Sequence, residues 1–80
     1  MPVVFREAGF RFHFFANEGD PREPVHIHVS RAGAKAKFWL YPDVELAYDR
    51  GYDARTIKRL QEIVAQRRSE IEDFWNEFFA

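Results

Sequence analysis

Cysteine is absent from the 80 residues, so disulfides and thiol chemistry are excluded and nothing demands an oxidising compartment. No run of ~20 apolar residues occurs, and the N-terminus lacks a long apolar core. A soluble cytoplasmic protein without membrane contact is the resulting expectation. Charge of one sign is also missing: 12 Lys and Arg stand against 13 Asp and Glu, for a formal net charge of −1. Such a chain does not coat nucleic acid by bulk charge, and any binding of that kind needs a local patch. Glycine and proline are scarce, at four each, and neither lies between Ala54 and Ala80, so no residue there stops a helix outright.

What the chain has instead is aromatic bulk. Eighty residues make one domain near the lower end of what folds on its own core. Nine Phe, three Tyr and two Trp compensate, because each can bury roughly 150 to 250 Å².

The clearest pattern runs over residues 24–40, PVHIHVSRAGAKAKFWL. Val25, Ile27 and Val29 alternate with His26, His28 and Ser30. After Arg31-Ala32-Gly33 the alternation resumes, with Ala34, Ala36, Phe38 and Leu40 against Lys35, Lys37 and Trp39. This period of two predicts a half-buried hairpin. Cross-strand partners share a face, so Ser30 should pair with Lys35, His28 with Lys37 and His26 with Trp39. Val29 then meets Ala36, Ile27 meets Phe38 and Val25 meets Leu40. A loop of two or four residues keeps this register, with Ala32 a poor residue for a two-residue turn.

Around the hairpin, residues 3–6 and 10–15 read as a first pair of strands joined at Ala8-Gly9, with Phe10, Phe12 and Phe14 opposite Arg11, His13 and Phe15. Residues 17–24, NEGDPREP, form a loop carrying Glu18, Asp20 and Glu23. Tyr41-Pro42-Asp43 interrupts the ladder. Val44, Leu46 and Tyr48 then alternate with Glu45, Ala47 and Asp49 in a short fifth strand. Asp53 is placed to cap a helix. From Ala54 onward Ile57, Leu60, Val64, Ile71, Phe74 and Phe78 recur in steps of three and four, with Arg67 in the one expected slot that is not apolar. One helix of about 39 Å is the simpler reading, and two helices broken near residues 66–69 are the alternative. The expected architecture is a single α+β domain, residues 1–80: a four- to five-stranded, mainly antiparallel sheet with one long C-terminal helix packed on one face.

The outer face of that sheet would gather Arg11, His13, His26, His28, Ser30, Lys35 and Lys37, with Arg6 at the edge. Lys and Arg supply charge for phosphate and imidazole supplies donors, while Phe15 and Trp39 could stack on unpaired bases. Arg11, Lys35, Lys37 and Trp39 are the candidate anion or RNA contacts. RNA cleavage through the 2′-hydroxyl needs a base, an acid and a cation for the developing charge. His26, His28 and Lys37 are the candidate catalytic set, with Arg11 and Glu18 as helpers. The competing reading is a solvated sheet face whose Lys and Arg discourage edge pairing. His26-Ile27-His28 also places two imidazoles 6 to 7 Å apart, a spacing that admits a shared ion. His13, Glu18 or Asp20 would be the third ligand and Lys35 and Lys37 would oppose it. No metal set is assigned on this basis, and no cofactor is implied.

Bases concentrate at Arg55, Lys58, Arg59, Arg67 and Arg68, and acids at Glu70, Glu72, Asp73 and Glu77, against the helix dipole. The ending Phe74-Trp75-Asn76-Glu77-Phe78-Phe79 puts Phe74 and Phe78 on the core stripe, while Trp75 and Phe79 widen it. That end either closes the core or serves a homodimer or partner surface.

Several stretches together carry a resemblance: Val4-Phe5-Arg6-Glu7 with Gly9-Phe10-Arg11-Phe12, Asn17-Glu18-Gly19-Asp20 to Glu23-Pro24, His26-Ile27-His28-Val29, Ala36-Lys37-Phe38-Trp39-Leu40 and Arg50-Gly51-Tyr52. On these residues the chain resembles the small bacterial and archaeal proteins of domain-of-unknown-function family 4160. The resemblance implies a toxin-antitoxin-like gene pair, with a small protein partner encoded nearby, and assigns no catalytic residue. The expected function is a member of such a pair that binds or cleaves RNA through the His/Lys/Arg face. The alternatives are a non-enzymatic interaction module using the aromatic C-terminal helix, or a His-x-His metal-binding domain.

Overall fold

Two turns of the same kind set the strand pairing. The computed structural model describes residues 2–19 and 21–80; Asp20, named above as a loop carboxylate and third-ligand candidate, lies outside them. Strands β1 (Val3–Glu7) and β2 (Phe10–His13) turn at Ala8-Gly9, and β3 (His26–Arg31) and β4 (Ala34–Trp39) turn at Ala32-Gly33. Both residues of each pair have positive φ, 53° and 84° in the first and 49° and 87° in the second. That is the backbone of a two-residue hairpin turn whose twist matches the strands. The β3–β4 register is the expected one, with His26 opposite Trp39, His28 opposite Lys37 and Ser30 opposite Lys35, and the Leu40 amide bonds the Val25 carbonyl at 3.2 Å.

Ala32 therefore holds a conformation that costs an L-residue with a Cβ about 1 to 2 kcal/mol. Asparagine tolerates it far better. Ala32→Asn should raise stability by about 1 kcal/mol, seen as a higher urea midpoint with an unchanged denaturant slope.

Strand β5 (Glu45–Arg50) completes an antiparallel sheet in the order β1-β2-β3-β4-β5. One expectation fails here. The strict alternation that put Leu46 and Tyr48 on one face is broken by an irregularity opposite Lys37 and Phe38: Leu46 pairs with Phe38, but Tyr48 pairs with Lys37 and Arg50 with Lys35. The extra residue, Ala47, reverses the phase as a bulge does, so Tyr48 and Arg50 join the polar face.

The apolar face carries Phe10, Phe12, Ile27, Val29, Ala36 and Phe38, all buried. Helix α1 (Ala54–Gln66) covers it with Leu60, Ile63 and Val64. Asp53 caps this helix, its carboxylate accepting the Thr56 amide at 2.8 Å.

The single long helix is corrected to two, α1 and α2 (Arg68–Phe78), joined at Arg67 with φ −109° and ψ 19°. A straight rod of about 39 Å would overrun a molecule whose longest extent is 34 Å. Tertiary contacts of Arg67 fix the bend: its guanidinium lies 3.5 Å from the centre of the Phe5 ring and bonds Glu7 and Glu70, each at about 3 Å. The bend also resets the helical phase. Ile71 and Trp75 are buried and Phe79 packs against them, while Phe74 and Phe78, expected in the core, are 36% and 42% exposed. Among the described residues no helix is long and apolar enough to cross a membrane.

Candidate functional site

Because cross-strand partners share a face, the registers arrange the polar side of the sheet in rows. Arg6, Arg11, Ser30, Lys35 and Arg50 are successive partners across all five strands. At the usual strand spacing this row is about 19 Å long. It holds four cations and no acid, and among the described residues none of the four is ion-paired. Arg11 donates two N–H groups to Ser30 Oγ, at 3.1 and 3.3 Å, leaving the Ser30 hydroxyl to donate to His13 Nε2 at 3.3 Å. A shallow cleft of about 340 Å3 lies along the row, lined by Arg6, Arg11, Ser30, Arg31 and Lys35.

The next row is His13, His28, Lys37 and Tyr48. The His13 and His28 rings stack at 5.7 Å, and Phe15 meets both edge-on, at 5.3 and 4.5 Å. A second cleft of about 190 Å3 is bordered by Arg11, His13, Phe15, His28, Lys35 and Tyr48. Phe15 and Tyr48 are the exposed aromatics on this border, at 38% and 42%.

The three histidines do not lie open on the face. His13, His26 and His28 are all buried, because the 3₁₀ turn at residues 16–18 closes Glu18 against His26 and His28 and Phe15, Trp39 and Trp75 pack on the rings. A loop rich in turn formers was expected there, but Glu18 was not expected to be inside. It is 7% exposed, with Oε2 at 2.6 Å from His26 Nε2 and 2.7 Å from His28 Nε2, while Oε1 accepts the Phe15 amide at 3.0 Å. Gly19 permits this closure, since a Cβ there would overlap the Phe79 ring. Arg22 ties the loop to α2 through Asn76 at 3.0 Å.

Burial by itself would raise the Glu18 carboxyl, but the His28 ring, the Phe15 amide and the adjoining His26 ring together outweigh it and hold it below its ordinary value. Burial lowers His28, and the Glu18 hydrogen bond and charge only partly reverse that. Burial, followed by the neighbouring His28, brings His13 down to about 4. His13 and His28 are therefore neutral rings at pH 7.

Of the residues named from sequence as anion contacts, Arg11 and Lys35 stand together in the cationic row. Lys37 sits one row over, 4.2 Å from the Trp39 ring centre and 3.8 Å from Glu23, so one face of Trp39 is already occupied by an ammonium. Of the histidines named as catalytic, His28 lies against the Phe15 ring and His26 between Trp39 and Trp75, its ring 5.0 Å from Trp75, and both abut Glu18 of the 3₁₀ turn. Tyr48 and Arg50 were missed because a bulge leaves no mark in an alternating pattern. Glu18 was named only as a helper, since its burial depends on the loop closing.

The chain matches the family model described as Domain of unknown function (DUF4160) over residues 9–76. No curated protein and no solved structure gives a match.

Proposed function

We propose that this chain, which belongs to the DUF4160 family, binds single-stranded RNA on the outer face of its sheet. The observation that carries the reading is the row Arg6-Arg11-Lys35-Arg50, four cations drawn to one line in a chain of net charge −1. Scattered solvating charge does not need such a line, whereas a phosphate backbone tracks one. The exposed rings of Tyr48 and Phe15 beside it offer stacking surface that only unpaired bases can use. Within the toxin-antitoxin-like pair implied by the resemblance, this chain is then the RNA-contacting member. The proposal is one of binding: His26 is fully buried and the Nε2 of His28, itself 6% exposed, is taken by Glu18, so neither ring is free to act on a backbone lying along the cations.

Fluorescence anisotropy with a short single-stranded oligoribonucleotide tests this. Lys35→Gln and Arg11→Gln should each weaken binding about fourfold at 0.15 M salt, the effect of one phosphate contact. Tyr48→Ala should cost about 1 to 3 kcal/mol if one base stacks on it. Equal affinity of all three variants and the wild type would reject the face.

A further inference from the structure

We infer that Glu18, His26 and His28 form a site for one divalent transition-metal ion of the zinc class. These are the one group of three such side chains among the described residues whose ligand atoms converge, all within 4.8 Å of one another.

The case rests on where the hydrogens of His26 must be. Its Nδ1 lies 2.9 Å from the Pro24 carbonyl oxygen. A carbonyl only accepts, so Nδ1 carries the hydrogen and, in the neutral ring, Nε2 keeps its lone pair. That Nε2 is fully buried and has no hydrogen-bond partner, although Glu18 Oε2 is 2.6 Å away: the oxygen lies off the direction a ring hydrogen bond requires. A lone pair and a carboxylate oxygen at this distance repel unless a cation lies between them. His28 Nε2 adds a third donor, 2.7 Å from the same oxygen. A proton on His26 would serve one off-axis contact, while a metal ion serves all three donors from a shared point.

The surroundings hold two of the ligands in place. The Pro24 carbonyl fixes the tautomer and rotation of His26, and the Phe15 amide anchors Glu18 through its other oxygen, the kind of outer support that metal-binding imidazoles and carboxylates have. Phe15, Trp39 and Trp75 wall the pair of imidazoles, with ring centres 4.5 to 5.4 Å away. Bond lengths of about 2.0 to 2.1 Å imply donor separations of about 3.3 Å in a tetrahedral site, so an ion here draws the Glu18 oxygen back by about 0.7 Å from His26 and brings together donors that span up to 4.8 Å without it.

Two nitrogens and one oxygen suit zinc, cobalt or nickel, whereas magnesium and calcium prefer oxygen alone. Three protein donors leave a further position for water or a ligand. The cation opposing an ion here is Lys37, opposite His28, and it is drawn toward Glu23 and the Trp39 ring.

The test is titration of the chelator-stripped full chain with cobalt and with zinc. The expected result is a visible ligand-field band saturating at one cobalt per chain, displaced by zinc, and a rise in melting temperature with zinc that magnesium does not give. Glu18→Gln keeps size and shape, and His28→Asn removes the second imidazole; in whichever variant retains the wild-type circular dichroism, affinity should fall more than about a hundredfold. His13→Gln, just outside the set, should bind as the wild type does. Absence of any band or shift in the wild type would show that a proton bridges Glu18 and the imidazoles and would overturn the proposal. So would undiminished binding in a folded Glu18→Gln or His28→Asn chain, or loss of binding in His13→Gln.

Discussion

Trp75→Ala is expected to destabilise the protein by about 3 to 5 kcal/mol, the range for truncating a buried large aromatic. For 80 residues the whole stability is of order 4 to 12 kcal/mol, so this one change removes a quarter or more. Trp75 is 1% exposed. Its ring lies 5.0 Å from Phe14, 5.0 Å from His26 and 4.4 Å from Phe79, so it holds α2, the residue that follows β2 and the histidine pocket together. Phe74, one residue earlier and 36% exposed, should cost about 1 kcal/mol or less when truncated. Urea unfolding followed by circular dichroism gives both values. A larger loss for Phe74→Ala than for Trp75→Ala would mean that α2 presents the face an unbroken helix would have presented.

Acid should destabilise the chelator-treated protein between pH 6.5 and 4. His13 has an ordinary value of 6.5 and is held at about 4 in the folded chain by burial and by His28. Above pH 6.5 both folded and unfolded rings are neutral and stability does not depend on them. As the pH falls below 6.5 the unfolded ring takes a proton that the folded ring refuses, so stability drops, by about 3 kcal/mol on reaching pH 4. The groups facing His13 are His28 across the strand pair, the Ser30 hydroxyl, Phe15, Arg11 and the Glu18 carboxylate. His28, also lowered, adds to the drop in the same direction. Glu18, held low, loses its contribution only as the pH falls through the carboxylate range. His13→Gln should flatten the dependence of urea midpoint on pH over this interval. An identical dependence in the variant would show that His13 is not the group responsible.

The hairpin was legible because its two halves impose one another: His26, His28 and Ser30 face the same way as Trp39, Lys37 and Lys35 only with a loop of two or four residues, and the observed register agrees, with Ala32-Gly33 as a two-residue turn. The break at Arg67 falls where the alternative reading put it, near residues 66–69, but the pattern gave no reason to prefer it. No Gly or Pro marks it, and its cause is a set of Arg67 contacts with Phe5 and Glu7 that exist only after β1 and the helix meet. That one bend reversed the burial of Phe74 and Trp75. The bulge at Ala47 acted alike on β5, sending Tyr48 and Arg50 to the outer face. For the site, the residue types were readable and their depth was not. Alternation shows that His26 and His28 share a side with Lys37, but whether that side meets water depends on a loop whose closure needs Gly19 beneath Phe79. The cations and the histidines, one cluster in sequence, separate into an exposed row and a buried pocket.

The most direct test of the RNA-binding face is the salt dependence of single-stranded RNA binding. Four phosphate contacts from Arg6, Arg11, Lys35 and Arg50 predict a slope of log affinity against log salt of about −2.8, falling in magnitude by about 0.7 for each cation replaced by Gln. A slope near zero, or one unchanged when Lys35 and Arg50 are both replaced, would contradict it.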